Sequence, residues 1–136
     1  MRLEISRRAD LAVRALVTLA AAGTRTKAGE LARELDTTPG FIPQIVKPLV
    51  KREWVRSDPG PRGGYCVSAE LDQVTVLDVI EAIDGPTDLG HCVVADQLCG
   101  GAPHCALHVA WGRARDELLA HLGGVSLEEL AAGGGR

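Results

Sequence analysis

The sequence predicts a mainly α fold with a small β-hairpin wing: three helices, the hairpin, a fourth helix and, beyond a cysteine-bearing loop, a long C-terminal helix. Three observations carry this. Apolar residues recur at helical spacing along much of the chain. Two short β-prone segments flank the turn-forming run DPGPRGG. Residues 88–104 are too polar and glycine-rich for a regular element, so they form a loop with a purpose. The length, 136 residues, leaves room for one compact domain plus a dimerisation element, and 46% hydrophobic content is enough for an ordinary core.

The first helix covers residues 5–19, with Ile5, Ala9, Ala12, Leu16 and Leu19 on one stripe and Arg7, Arg8, Asp10 and Arg14 off it. KAGELAREL is the second, with Leu31, Ala32 and Leu35 as its apolar face. Thr38 as N-cap and Pro39 at the first helical position open a third helix over residues 39–52. Its core side is Phe41 or Ile42, Ile45 and Leu49, which leaves Gly40, Gln44, Lys47 and Lys51 outward. Pro43 lies near enough to the first turn to be tolerated, whereas Pro48 should cost about 3 kcal/mol and bend the helix unless packing compensates.

Residues 54–57 and 65–68 are the hairpin strands, and Arg62 lies at their stiff tip. Three helices followed by such a hairpin make a winged helix-turn-helix. Thr75 caps the next helix, with Val76, Val79, Ile80 and Ile83 inward and Gly85-Pro86 as its stop. The last long helix runs from Cys105 to about Leu122, and Leu107, Trp111, Ala114, Leu118 and Leu122 form a seam that needs a partner. Ser126 to Glu129 then matches a capping box. The expected division is 1–84 for the winged helix-turn-helix DNA-binding domain, 85–105 for the cysteine loop, and 106–136 for the dimerisation helix and C-terminal turn.

Net charge is −3, which alone argues against a nucleic-acid partner. The distribution argues otherwise: residues 1–66 hold 12 Lys and Arg against 7 Asp and Glu, while residues 67–136 hold 3 against 11. Gln44 can contact adenine, Thr38, Lys47 and Lys51 can meet backbone or base, and Arg62 can enter a minor groove. With aromatic residues at 3%, stacking on single strands is disfavoured and double-stranded DNA is the expected partner. The alternative for this half is a winged helix used for protein contact.

Of four cysteines, Cys66 stands alone, whereas Cys92, Cys99 and Cys105 fall within fourteen residues, separated by six and then five. Grouped thiolates suit zinc, copper(I) or iron-sulfur clusters. Zinc ribbons place their pairs two to four residues apart, so the wider spacing suits the larger iron-sulfur cluster. Fourth-ligand candidates are His108, three residues past Cys105, and Asp10 from a partner subunit, with His91 and His104 as weaker ones. The structural alternatives are a surface His108 and an Asp10 that simply pairs with Arg7 or Arg14.

Taken in order, MRL, ADLAVRAL, the GPRGGY wing, VTVLDVIEAIDGP, the three cysteines, CALHVAW and SLEEL resemble the Rrf family of winged-helix regulators over nearly the whole length. The resemblance implies a homodimer through the long C-terminal helix, operator binding by the third helix and wing, and a cluster whose state sets DNA affinity. IscR-like members use a His three residues after the third cysteine, which His108 matches. NsrR-like members use an Asp on the first helix of the other subunit, which Asp10 matches. The chain has both, which leaves 2Fe-2S or 4Fe-4S open. It departs from the family where Pro59 and Arg62 alter the wing and Pro43 replaces a common polar position, so the operator sequence does not carry over.

The resulting expectation is a cytoplasmic cluster-dependent transcriptional regulator that senses redox state, nitric oxide or iron status, with no membrane partner. The start has basic residues before an apolar run, like a signal peptide, but Arg14 interrupts the run, and no stretch approaches a membrane span. The alternatives are a zinc-stabilised or thiol-sensing regulator and a small electron carrier that does not bind DNA. Phosphate-loop, nucleophile-elbow and paired-carboxylate patterns are missing, so no enzyme is expected.

Overall fold

A computed structural model describes residues 1–87, 90–94, 99 and 105–133. Its elements are α1 (Arg7–Ala22), α2 (Ala28–Glu34), α3 (Ile42–Lys51), β1 (Val55–Asp58), β2 (Gly64–Val67), α4 (Val76–Asp84), α5 (His108–Gly123) and α6 (Leu127–Ala132). The mainly helical, hairpin-bearing architecture agrees with the sequence expectation.

α1 begins two residues later than its apolar stripe suggested. Ser6 is extended, and its hydroxyl accepts from Ala9 N–H at 3.0 Å, so Ser6 is the cap and Ile5 stays outside, 48% exposed. Leu11, Ala12, Ala15, Leu16 and Leu19 are buried among α2, α3, α4 and α6. Gly23 ends the helix in the left-handed region at φ 65°.

The third helix opens with a 3₁₀ turn, Pro39–Phe41, before α3 proper. Thr38 sits at the N-cap of that turn with no side-chain capping bond. Pro48 stays inside α3. Its cost of about 3 kcal/mol is outweighed because Ile45, Val46 and Leu49 around it are all buried, each contributing about 1.5–3 kcal/mol.

β1 and β2 pair antiparallel in the register Val55 with Val67 and Asp58 with Gly64. Thr26, in the turn between α1 and α2, bridges to Tyr65 through two backbone hydrogen bonds of 2.9 Å, which fastens the hairpin to the helical body. A Cβ on Gly64, whose φ is 146°, would crowd the Thr26 carbonyl at 2.8 Å. Thr75 caps α4 in a reciprocal box with Asp78, and Ser126 does the same for α6 with Glu129. Leu127 N–H donates to Val74 carbonyl at 2.8 Å and its side chain is fully buried, so α6 returns to the core beside α1.

α5 starts at His108 because residues 105–107 form a turn, with His108 N–H donating to the Cys105 carbonyl at 3.1 Å. It packs on α4, where Gly123 faces Leu77. None of its residues is fully buried. No helix of the described residues is long and apolar enough to cross a membrane.

Candidate cysteine centre and nucleic-acid interface

The cysteine segment meets the foot of α5. Cys92 Sγ lies 3.9 Å from Cys105 Sγ, and Cys99 Sγ lies 3.0 Å from Nδ1 of His108. Backbone bonds fix the approach: Cys99 N–H donates to the Gly90 carbonyl, and Val94 N–H donates to Cys92 Sγ at 3.4 Å. All three thiols are half-buried. Cys92 thus sits beside Cys105, and Cys99 beside His108. His104 lies outside the described residues.

Desolvation pushes the Cys99 thiol up, with the neighbouring Cys92 and Cys105 adding to the rise and Arg115 opposing it. A soft metal bound there must displace the thiol proton, so its uptake strengthens as pH rises. A hollow of about 120 Å³ beside the thiols is lined by His91, Cys99, Cys105, His108, Trp111 and Arg115 among others. Trp111 and Arg115 were missed by the sequence reading as parts of this site. Their spacing of three and seven residues from His108 on one helix was the available signal.

Among the described residues, no three His, Cys, Asp or Glu side chains gather closely enough to hold one metal ion. Cys92 faces Cys105 and also bonds to Cys99, and Cys99 faces His108 as well. Two thiolates on one tetrahedral metal, at about 2.3 Å each, sit about 3.8 Å apart, close to the Cys92–Cys105 separation.

Asp10 faces a different environment. Its carboxylate lies 3.6 Å from Arg14 Nη1, one turn along α1, in a surface hollow also lined by Arg7, Leu35 and Asp36. Cys66 sits on β2 opposite Arg56 and does not line the cysteine hollow.

α3 separates its two faces cleanly. Ile42, Ile45, Val46 and Leu49 are buried, while Gln44, Lys47 and Lys51 are exposed at steps of three and four. Thr38 is exposed just ahead of the helix, and Arg62 is exposed at the hairpin tip. Arg52, at the end of α3, stacks its guanidinium 5.6 Å from the Trp54 ring centre. Arg25 was not singled out from sequence, yet it reaches Asp58 and the Arg62 carbonyl in the wing.

Residues 5–133 match the Rrf2 family, described as an iron-dependent transcriptional regulator. The chain is 32% identical over 133 residues to the putative HTH-type transcriptional regulator Rv1287 of Mycobacterium tuberculosis, covering 96% of this chain and 83% of that one. It is also 32% identical over 90 residues to the HTH-type transcriptional regulator IscR of Xenorhabdus nematophila, covering 66% of this chain and only 54% of that protein. The match thus spans about half the length of that IscR. Among solved structures, CymR (YrzC), the global cysteine regulator of B. subtilis, superposes with a TM-score of 0.78 at 27% identity, covering 96% of this chain and 98% of that one. T. potens IscR shares the fold, with a TM-score of 0.76 at 17% identity over 97% of this chain and 88% of its own.

Proposed function

Since this chain belongs to the Rrf2 family of transcriptional regulators, we propose that it is a dimeric, cytoplasmic DNA-binding regulator whose affinity for its operator is set by an iron-sulfur cluster. Cys92, Cys99 and Cys105 hold the cluster, with His108 as the fourth ligand. The observation that carries this is the gathering of soft donors, with Cys92 beside Cys105 and Cys99 and with Cys99 beside His108. A two-iron cluster takes two protein ligands on each iron, and imidazole replaces thiolate in known variants. His108 is favoured because it touches Cys99 within one chain, whereas Asp10 would have to come from a partner subunit.

When bound, the cluster supplies a centre that responds to oxidation, nitric oxide or loss of iron. The chain's own residues carry the response. His108 is the first residue of α5, α5 packs on α4, and α4 packs on α1 and α3. A change of position at His108 therefore bears on the elements that hold the recognition helix. α3 lies in the major groove with Gln44 toward base edges and Thr38, Lys47 and Lys51 toward phosphate or base, and Arg62 enters the adjacent minor groove. Two copies joined through α5 would set half-sites about 34 Å apart, where small rotations change affinity strongly. The domain roles follow: 1–84 reads DNA, 85–105 holds the cluster, and 106–136 joins the dimer.

The test is the visible spectrum of protein isolated without oxygen, together with its DNA affinity before and after removal of iron. Coloured wild type and Asp10→Ala, a bleached or shifted His108→Ala, and a loss or gain of affinity on iron removal support the proposal. Colourless protein overturns it. The Cys92–Cys105 separation of 3.9 Å also favours a second reading, a thiol-sensing regulator in which this pair is oxidised. That reading predicts colourless protein whose DNA affinity changes with disulfide oxidants and recovers with dithiothreitol.

A further inference from the structure

An acidic side chain sits inside the basic wing. Asp58 ends β1 with 29% of its side chain exposed, and one of its oxygens forms an ion pair with Arg25 Nε at 2.9 Å and accepts from Arg56 Nε at 3.4 Å. Arg25 reaches further, donating from Nη1 to the carbonyl of Arg62 at 3.4 Å. Its neighbour Thr26 is bonded in both directions to Tyr65 of β2. Arg25 thus belongs to the turn leaving α1, yet it grips the wing tip both at its base and at Arg62.

The tip has little freedom of its own. Gly63 N–H donates to the Gly60 carbonyl at 2.9 Å, and a Cβ on Gly63 would collide with the Asp58 carbonyl. The chain carrying Arg62 therefore folds directly over Asp58. An acid so placed lowers affinity for a polyanion if charge alone decides. Held by two guanidinium groups, it instead becomes a fixed point between helical body and tip. Exposed ion pairs add little to global stability, so the consequence of this arrangement is geometric.

We infer that Arg25 and Asp58 form a strut that positions Arg62 against duplex DNA, so that Asp58, despite its charge, increases DNA affinity. This rests on the proposed DNA contact of Arg62. Both residues are positioning residues. The electrostatic and geometric accounts give opposite signs for the same substitution, which makes the strut testable.

The experiment uses full-length protein isolated without oxygen and a labelled duplex that the wild type selects from a random library. Anisotropy is read over a salt series for Arg62→Ala, Asp58→Asn, Arg25→Lys and the double variant Asp58→Asn with Arg62→Ala, with melting midpoints as a folding control. Arg62→Ala is expected to weaken binding about tenfold. Asp58→Asn is expected to weaken it about threefold to tenfold, and to add nothing in the Arg62→Ala background. Arg25→Lys keeps the charge but loses the fork that spans Asp58 and Arg62, and is expected to behave like Asp58→Asn. Tighter binding by Asp58→Asn, with a salt slope steeper by about one, overturns the strut and makes Asp58 a repelling charge. Unchanged binding by Asp58→Asn alongside weakened Arg62→Ala also overturns the strut while leaving the DNA reading intact. Wild-type binding by Arg62→Ala, or a library that yields no duplex, overturns the DNA reading and the strut together.

Discussion

Leu16 and Leu118 are the same residue on two helices of 16 residues each, yet Leu16 is fully buried and Leu118 is 43% exposed. α1 lies at the centre of the core, with α2, α3, α4 and α6 around it. α5 packs on α4 and buries none of its residues completely, leaving Leu107, Val109 and Leu118 in solvent. Burying a leucine contributes about 1.5–3 kcal/mol, so α1 draws its stability from its own chain. α5 gains far less from its own chain. The difference separates a part held by burial within its own chain from a part that its own chain holds weakly.

Four substitutions break or sharpen this contrast. Leu16→Ala leaves a cavity in a site closed on all sides and should cost about 2–5 kcal/mol, read as a large drop in the melting midpoint. Leu118→Glu should instead cost about 2 kcal/mol or more of association while leaving the helix-turn-helix intact. Sedimentation would show a monomer with near-native helical content, and a dimer unmoved by this change would place the interface elsewhere. Thr75→Ala removes the side-chain half of the box that caps α4, at about 1 kcal/mol, measured by urea unfolding. The smallest effect has the opposite sign. Glu53, following α3, adopts φ 61° while Trp54 N–H donates to the Leu49 carbonyl at 3.0 Å. Glu53→Gly should therefore stabilise by up to about 1 kcal/mol, provided the Ser68 hydroxyl keeps its bond to the residue 53 carbonyl.

Much of the fold was legible because helical spacing is a local property. The apolar residues of α1 to α4, the Thr75 cap, the Ser126 box and the DPGPRGG turn each announce themselves within a few residues. Element starts were less legible. Ser6 displaced Ile5 as the beginning of α1, and the turn at residues 105–107 moved the start of α5 to His108, because capping bonds rather than apolar stripes decide where a helix begins. Pro48 shows the converse, a local rule overridden by burial on either side. At the candidate site, the three cysteines and His108 could be named from spacing, and Trp111 and Arg115 could have been added from helical periodicity. The pairing of thiols could not. It depends on contacts between residues well apart in the chain, which no local pattern encodes.

The sequence by itself determined the family, the order of elements, the basic first half and the set of soft donors, since each rests on residue type and near-neighbour spacing. Tertiary structure decided that Cys99 meets His108 while Cys92 meets Cys105. It also decided that α6 closes the core and that Arg25 reaches the wing. These are contacts between residues distant in the chain or on different turns of backbone. They form only once burial of the apolar core has fixed where each element lies, and the polar groups then take the partners left within reach.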